Sequence, residues 1–350
     1  MSNNKKRILF ADLLSPQGHV KFNDIYLKSL DGIYDIIFVA QGAYMSNIHL
    51  PSSCIKTYSY SAYTSKKKGR IASIGFRLHQ IRMQKYCAKL AIKEKCDAII
   101  FSSFENVSLC FSHFQKCKVI AICHNNVEQI SCSGIKQKLM RSLSKRINLV
   151  SLNRGAYEYL SSVGIKNYLL PHGYMESAQQ PNSIERMFFI PINESQDAHV
   201  IEYLLSDEYC SFLDEHDCTL VIKQKIANIQ QHHCEHIKII NDHPSDSEYN
   251  YYFNNSIAII LPYNSGYTLR SSGIAMEAIA NDKFIIVPST KTFLALKKEG
   301  DIGIMTYYSP DNIKQLSLYA VENYMRVSYK QVKMENSNEA IAQQIQTILS

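Results

Sequence analysis

Arg270, Ser271, Ser272 and Gly273 stand directly before a short apolar run that carries a single acid, Glu277. Ser271 or Ser272 suits the N-cap of a helix, and Gly273 leaves the backbone there open to a ligand. The free N–H groups and dipole of a helix start favour a phosphate, to which Arg270 adds a charge-assisted contact. Glu277, about one turn further on, has the reach to meet a ribose diol. The same residues also describe a capped helix with a solvent-exposed Arg and a surface Glu, so both readings stand at this point. Lys223 and Lys225, at the end of "TLVIKQK", are further cations for a diphosphate, or simply a solvated strand end.

Two histidines occupy similar strand-end positions in the first half. His19 follows Gly18 in "SPQGH", where a small residue lets the backbone approach a diphosphate or an acceptor. An imidazole near its ordinary pKa suits a general base. Asp24 and Glu105 are alternative bases. His124 opens "HNN" after the apolar run "KVIAIC" and has the chemistry to bond a sugar hydroxyl, or to shape a turn. His172 in "PHG" reads as structural, with Gly173 as a turn. The cluster "QHHCEH" (231–236) lacks a second ligand pair at zinc-site spacing and reads as a loop. None of the ten cysteines forms a C-x-x-C pair, so they are expected as free thiols and no metal site is expected.

The elements that must position these residues alternate between strand and helix, the pattern of an α/β fold with parallel sheets. Apolar runs at 7–12, 35–40, 97–102, 118–123, 147–152 and 167–171 have the look of buried parallel strands. Helical patterns at 22–30, about 70–95, 135–146 and 154–163 separate them. A polar, Gly- and Pro-containing stretch at 173–185 breaks the rhythm as a linker would. The alternation then resumes with strands at 187–192, 218–223, 236–241, 256–262, 283–288 and 302–307, and helices at about 196–215, 245–253, 273–281, 290–299 and 310–325. A last helical stretch, "NEAIAQQIQTIL", ends the sequence. The expected domains are 1–175 and 176–332, with 333–350 a C-terminal helix for which packing back on the N-terminal domain is one option.

Charge is unevenly spread. Residues 1–175 hold 25 Lys and Arg against 9 Asp and Glu, while the remainder holds 13 against 22. The first half therefore suits an anionic partner. "TSKKKGR" (64–70) concentrates four cations before a long helix carrying Arg77, Arg82, Lys85 and Lys89. Tyrosines scattered over both halves, without a known RNA- or DNA-binding signature, argue against nucleic acid. An anionic membrane surface or a prenyl-diphosphate acceptor fits better. No apolar run is long enough to span a bilayer, and the basic N-terminus is interrupted by Asp12, so a first strand is expected there rather than a signal peptide.

The order strand, "ILPY", variable loop, S-G-x-x-x-E-A, short gap, strand ending in Pro (256–288) resembles the donor-nucleotide site of GT-B glycosyltransferases. The likeness is to the large polysaccharide and lipopolysaccharide group, glycosyl transferases group 1 and family 4-like. The early "PQGH" loop and "SLNRGAYEYLSSVGIKNYLLPHGY" agree with it. The resemblance implies two doubly wound Rossmann-like domains facing across a cleft, an acceptor-binding N-terminal domain and a nucleotide-sugar-binding C-terminal one. It implies a hexosyltransferase-type enzyme without a cofactor, acting in O-antigen, capsule or exopolysaccharide synthesis, and with no DxD-like metal motif placed to stabilise the departing diphosphate, metal independence is expected. Its partners would be a nucleotide sugar, a lipid-linked or glycan acceptor and an anionic membrane. Its expected place is cytoplasmic, on the inner face of the membrane.

Within that resemblance His19 and His124 are the catalytic candidates and Gly18 belongs to the diphosphate or acceptor loop. Lys223, Lys225, Arg270, Ser271, Ser272, Gly273 and Glu277 hold the donor. The sequence departs from the family at Leu269, where the first acid of a Glu-x7-Glu pair is usual, which leaves retention or inversion of the anomer open. The family's Gly-Arg…Lys-Gly after the first C-domain strand is also replaced by "FFIPINESQDAH". A nucleotide-sugar 2-epimerase on the same fold, or a non-catalytic glycan- or nucleotide-binding scaffold, are the alternatives.

Overall fold

The computed structural model describes residues 5–14, 19–64, 68–114, 117–176, 184–192, 195–224, 234–241 and 243–350. Gly18, Lys66, Lys67, Lys225, His232, His233 and much of the expected linker lie outside them. The described chain divides into two compact units: Met1–Gly173 with Leu269–Ser271 and Asn336–Ser350, and Tyr174–Thr268 with Ser272–Glu335.

Unit 1 is built on a seven-stranded parallel sheet. Its strands are β1 (Arg7–Asp12), β2 (Asp35–Gln41), β3 (Cys54–Tyr60), β4 (Ala98–Ser103), β5 (Lys118–Cys123), β6 (Asn148–Ser151) and β7 (Asn167–Leu169), in the order β3-β2-β1-β4-β5-β6-β7. Register is set by apolar partners such as Ile8 beside Ile36 and Leu9 beside Ile99. Because side chains alternate across the sheet, Leu9, Ala11, Ile99 and Ala121 face one core and Ile8, Phe10, Ile100 and Ile120 the other. The first core is roofed by the helices Gly69–Lys93, Gly134–Leu143 and Arg154–Ser162. The second is closed by Val20–Leu30 and by the terminal helix Asn338–Leu349, through Ile341, Ile345 and Ile348.

Unit 2 repeats the plan with six parallel strands: β8 (Met187–Ile190), β9 (Thr219–Lys223), β10 (Ile237–Ile240), β11 (Ala258–Ile260), β12 (Phe284–Pro288) and β13 (Ile304–Tyr307). Their order is β10-β9-β8-β11-β12-β13. Strands β8, β11 and β12 are almost wholly apolar and buried, as central parallel strands covered on both faces must be.

Both sheets reverse direction of growth once. The chain winds β1, β2, β3 to one side and returns to place β4 on the other side of β1, and β8 and β11 flank the equivalent point in unit 2. Ligands of open α/β sheets gather at the carboxyl ends of strands beside such switch points. The ends of β1, β4 and β5, and the segment after β11, are therefore where chemistry is expected.

Among the described residues no helix is long and apolar enough to cross a membrane.

Candidate functional site

In unit 1 the carboxyl edge carries a buried carboxylate with an imidazole beside it. Asp12, the last residue of β1, is 2% exposed. A carboxylate so deep needs donors, and it has them. Asn23 Nδ2 donates to Oδ2 at 2.7 Å, and the Ser103 hydroxyl, at the end of β4, donates to Oδ1. The Leu14 backbone N–H donates to Oδ1 as well. Asn23 also donates to the Tyr44 hydroxyl, while Tyr60 and Gln80 tie down the backbone carbonyls of Asp12 and Leu13.

His19 precedes the first turn of the Val20–Leu30 helix, and its Nδ1 lies 3.7 Å from Asp12 Oδ2. That nitrogen is buried and has no hydrogen-bond partner among the described residues. Burial lowers the imidazole's pKa, and Asp12 offsets part of the shift by stabilising the charged form.

His124, immediately after β5, packs against His19 with ring centroids 4.5 Å apart, and the Phe22 ring meets His124 edge-on at 4.6 Å. His124 Nε2–H donates to the Ser102 carbonyl at 2.9 Å, which fixes Nδ1 as its unprotonated nitrogen. Burial, then His19 and His172, push its pKa well below the ordinary value. His172 completes the group. It packs on Phe22 at 5.5 Å, and its Nδ1–H donates to the Gly173 carbonyl. The sequence-expected pair His19 and His124 is thus brought into contact, with His172 behind it and Asp12 below.

The two alternative acids have other work. Asp24 accepts from the backbone N–H and the ring of His49. Glu105 caps the short Asn106–Cys110 helix and pairs with Arg77 at 3.4 Å.

In unit 2, Ser272 is the N-cap of the Gly273–Ala280 helix, and its hydroxyl accepts from the Ala275 N–H at 3.1 Å. Tyr263, just beyond β11, bonds that same hydroxyl at 2.9 Å. The Tyr263 ring is locked by parallel stacking on Tyr267 at 3.7 Å, with Phe293 following at 6.0 Å. The helix start is thereby held from below, while a Cβ added at Gly273 would meet nothing within 4 Å. Open space over a helix N-terminus is what an anion requires. Glu277 is half-buried one turn on, and Oε2 accepts from the Tyr249 hydroxyl at 3.4 Å. Lys223 ends β9 and is half-buried; Lys225 and Gly18 are outside the described residues.

Arg270 and Ser271 belong with unit 1 rather than with the helix they precede in sequence. The Arg270 guanidinium pairs with Glu128 through Nε. Asn153 Nδ2 donates to the Ser271 hydroxyl at 3.0 Å and to the Leu269 carbonyl at 3.1 Å, and the Leu269 side chain packs against the unit 1 core.

Sequence reasoning passed over Asp12, Asn23, Ser103 and Tyr249. For Asp12 a signal existed: an acid closing a run of buried apolar residues at the end of a first strand. For Tyr249, in a tyrosine-rich helix, none did.

No protein-family model matches the chain, and no curated protein sequence does. Solved structures do. Anabaena HepE in complex with UDP-glucose aligns at a TM-score of 0.66 and 11% identity, covering 98% of this chain and 99% of that one. The S. aureus MnaA–UDP structure aligns at 0.57 and 14% identity, covering 97% and 94%. A glycosyltransferase from Rickettsia africae aligns at 0.57 and 14% identity, covering 99% and 95%. Similarity at these identities is one of fold, and the chain has the two-domain α/β GT-B fold.

Proposed function

We propose that the protein is a glycosyltransferase that moves a sugar from a nucleotide diphosphate donor to a glycan or lipid-linked acceptor in cell-surface polysaccharide synthesis. The observation that carries this reading is the open start of the Gly273–Ala280 helix, capped by Ser272, with Glu277 one turn in. Its N–H groups suit the donor diphosphate and Glu277 the nucleotide ribose. HepE and MnaA, similar to this chain in fold over nearly their whole length, were solved with UDP-glucose and UDP bound.

His19 is the proposed general base. With Nδ1 turned toward Asp12, Nε2 is the nitrogen left for an acceptor hydroxyl, and a buried carboxylate below stabilises the imidazolium that proton abstraction forms. A lowered resting pKa keeps that imidazole neutral and able to accept a proton at physiological pH. His124 is the proposed contact for a donor-sugar hydroxyl. Lys223, Lys225 and Arg270 are the proposed cations for the departing diphosphate, where preorganised charge lowers the barrier most. The basic N-terminal half would hold the acceptor at an anionic membrane surface on the cytoplasmic side.

One observation favours a second reading, nucleotide binding without transfer. Leu269, standing where the resembled family has a sugar-reading acid, packs against the unit 1 core. A panel of nucleotide sugars separates the two. On the transferase reading, one UDP- or GDP-sugar raises the melting temperature by mass action and is consumed when acceptor is present. Protection without consumption supports the scaffold. Absence of protection by every nucleotide sugar rejects both.

A further inference from the structure

The Gly69–Lys93 helix presents an outward strip that a water-facing helix of this length does not normally carry. Its inward side is fixed by buried Gln80, Gln84, Cys87, Leu90 and Ala91. At about 100° per residue, Ile71, Ile74 and Leu78 fall on the opposite side within an arc of about 60°. They are 61%, 57% and 52% exposed. Arg82, Lys85, Lys89 and Lys93 continue the same strip toward the helix C-terminus, all exposed. Residues 69–93 contain six cations and no acid. Solvated helices usually interleave both signs, because i,i+4 pairs stabilise them. Ile71, Ile74 and Leu78 lie toward the N-terminal end of the strip and its four cations toward the C-terminal end, where Ile92, 54% exposed, adds one more aliphatic side chain among them.

We propose that this strip docks the protein on an anionic lipid bilayer, with Ile71, Ile74 and Leu78 entering the boundary between headgroups and acyl chains and Arg82, Lys85, Lys89 and Lys93 meeting lipid phosphates. A bilayer offers both partners at once: a layer of negative charge, and hydrocarbon about 5–10 Å beneath it. A nucleic acid would engage the cations and leave the three aliphatic side chains in water. Four outward cations without a competing acid on the helix match a phosphate layer, and the aliphatic end supplies what charge alone cannot, attachment that persists when salt screens the headgroups. The inference rests on the membrane part of the proposed function and gives it a location.

The full-length protein is sedimented with vesicles of phosphatidylglycerol and phosphatidylcholine, and with phosphatidylcholine alone, at low and high salt. The wild type is expected to bind the anionic vesicles and to lose part of that binding in high salt. Ile74→Asp and Leu78→Asp are each expected to lower the partition coefficient roughly tenfold or more at both salt concentrations. Lys85→Glu with Lys89→Glu should remove the salt-sensitive part. All four side chains are exposed, so an unchanged melting temperature verifies that the variants fold. The proposal is overturned by no binding to anionic vesicles, by equal binding to neutral ones, by aspartate variants that bind like the wild type, or by preference for single-stranded RNA over vesicles. Failure here is distinguishable from failure of the donor site, since protection by nucleotide sugars is measured without lipid.

Discussion

Asp12 and His19 stand 3.7 Å apart, carboxylate oxygen to imidazole nitrogen, at the carboxyl end of the first sheet's switch point. Asp12 arrives there as the end of a buried strand, and His19 as the residue that opens the following helix. If His19 is the base, His19→Ala should lower the rate of sugar transfer by about 10²–10⁴-fold while leaving protection by the nucleotide intact. Asp12→Asn puts an NH2 in place of one oxygen, facing either the Asn23 amide donor at Oδ2 or the Leu14 N–H at Oδ1, and should cost about 1–3 kcal/mol of stability besides activity. Kinetics and thermal melting on the two variants distinguish a base from a group that only holds the strand end. A His19→Ala enzyme of undiminished turnover would remove His19 from the reaction.

Three imidazoles share this buried region, and all three have pKa values lowered first by burial. For a histidine whose folded pKa lies below the ordinary value of 6.5, the unfolded chain binds more protons between the two values. Stability from the neutral form is then fully present above 6.5 and is lost as pH falls through 6.5 toward the folded values. Melting temperature should therefore drop on acidification from about pH 7.5 to about pH 5.5, and the drop should shrink in His124→Gln, the most strongly shifted of the three. A melting temperature flat across that range would contradict the burial-driven shifts.

Why the strands were legible and the acid was not follows from where each signal comes from. Parallel strands covered on both faces must be continuously apolar, so "RILFAD", "KVIAIC" and "KFIIVP" announce themselves. The edge strand Cys54–Tyr60 is exposed or half-buried along its length, carries Lys56, Thr57 and Ser59, and gives no such run. Helix boundaries at Arg154, Gly273 and Asn338 follow their caps Asn153, Ser272 and Ser337. Asp12 escaped because its burial depends on Asn23 and Ser103, 11 and 91 residues away, and on no local pattern. The attachment of Arg270 and Ser271 to unit 1 is likewise set by Glu128 and Asn153, far away in sequence.

Gly173 has φ +78°, and a Cβ there would lie 2.5 Å from Ile25 Cγ2 and 2.9 Å from Ile341 Cδ1. Both neighbours are buried core side chains of unit 1 that cannot swing away cheaply. Gly173→Ala combines left-handed backbone strain with overpacking and should destabilise by roughly 2–4 kcal/mol. Thermal or urea unfolding measures this. A loss below about 1 kcal/mol would mean that the terminal helix yields easily.

Tyr249 and Glu277 offer a test of the ribose contact. The tyrosine is half-buried and its hydroxyl reaches Glu277 Oε2, so it holds the carboxylate in one orientation. Glu277→Ala should weaken nucleotide binding about 10–100-fold, the range of a lost charge-assisted hydrogen bond. Tyr249→Phe keeps the acid and should weaken binding several-fold, with the apo melting temperature nearly unchanged in the first variant. Isothermal titration with UDP reads both. Equal affinity in wild type and Glu277→Ala would remove the acid from the site.

Arg270 and Glu128 form an ion pair in which the arginine side chain is about one-third exposed and the glutamate largely buried. The second carboxylate oxygen of Glu128 is buried with no hydrogen-bond partner among the described residues, so the guanidinium is a principal source of its compensation. If Arg270 serves the donor diphosphate, it must exchange one anion for another, and the two uses compete. A double-mutant cycle with Arg270→Ala and Glu128→Ala, read by thermal unfolding, should give a coupling of about 1–2 kcal/mol without nucleotide, discounted for the exposed arginine. With saturating nucleotide the coupling should fall, because the diphosphate draws the guanidinium away. Glu128→Gln, which weakens the competing anion but keeps its shape, should then tighten nucleotide binding rather than loosen it. A coupling unaffected by nucleotide, together with unchanged affinity in Arg270→Ala, would assign the arginine to holding residues 269–271 on unit 1 and leave the diphosphate to the helix start and the lysines.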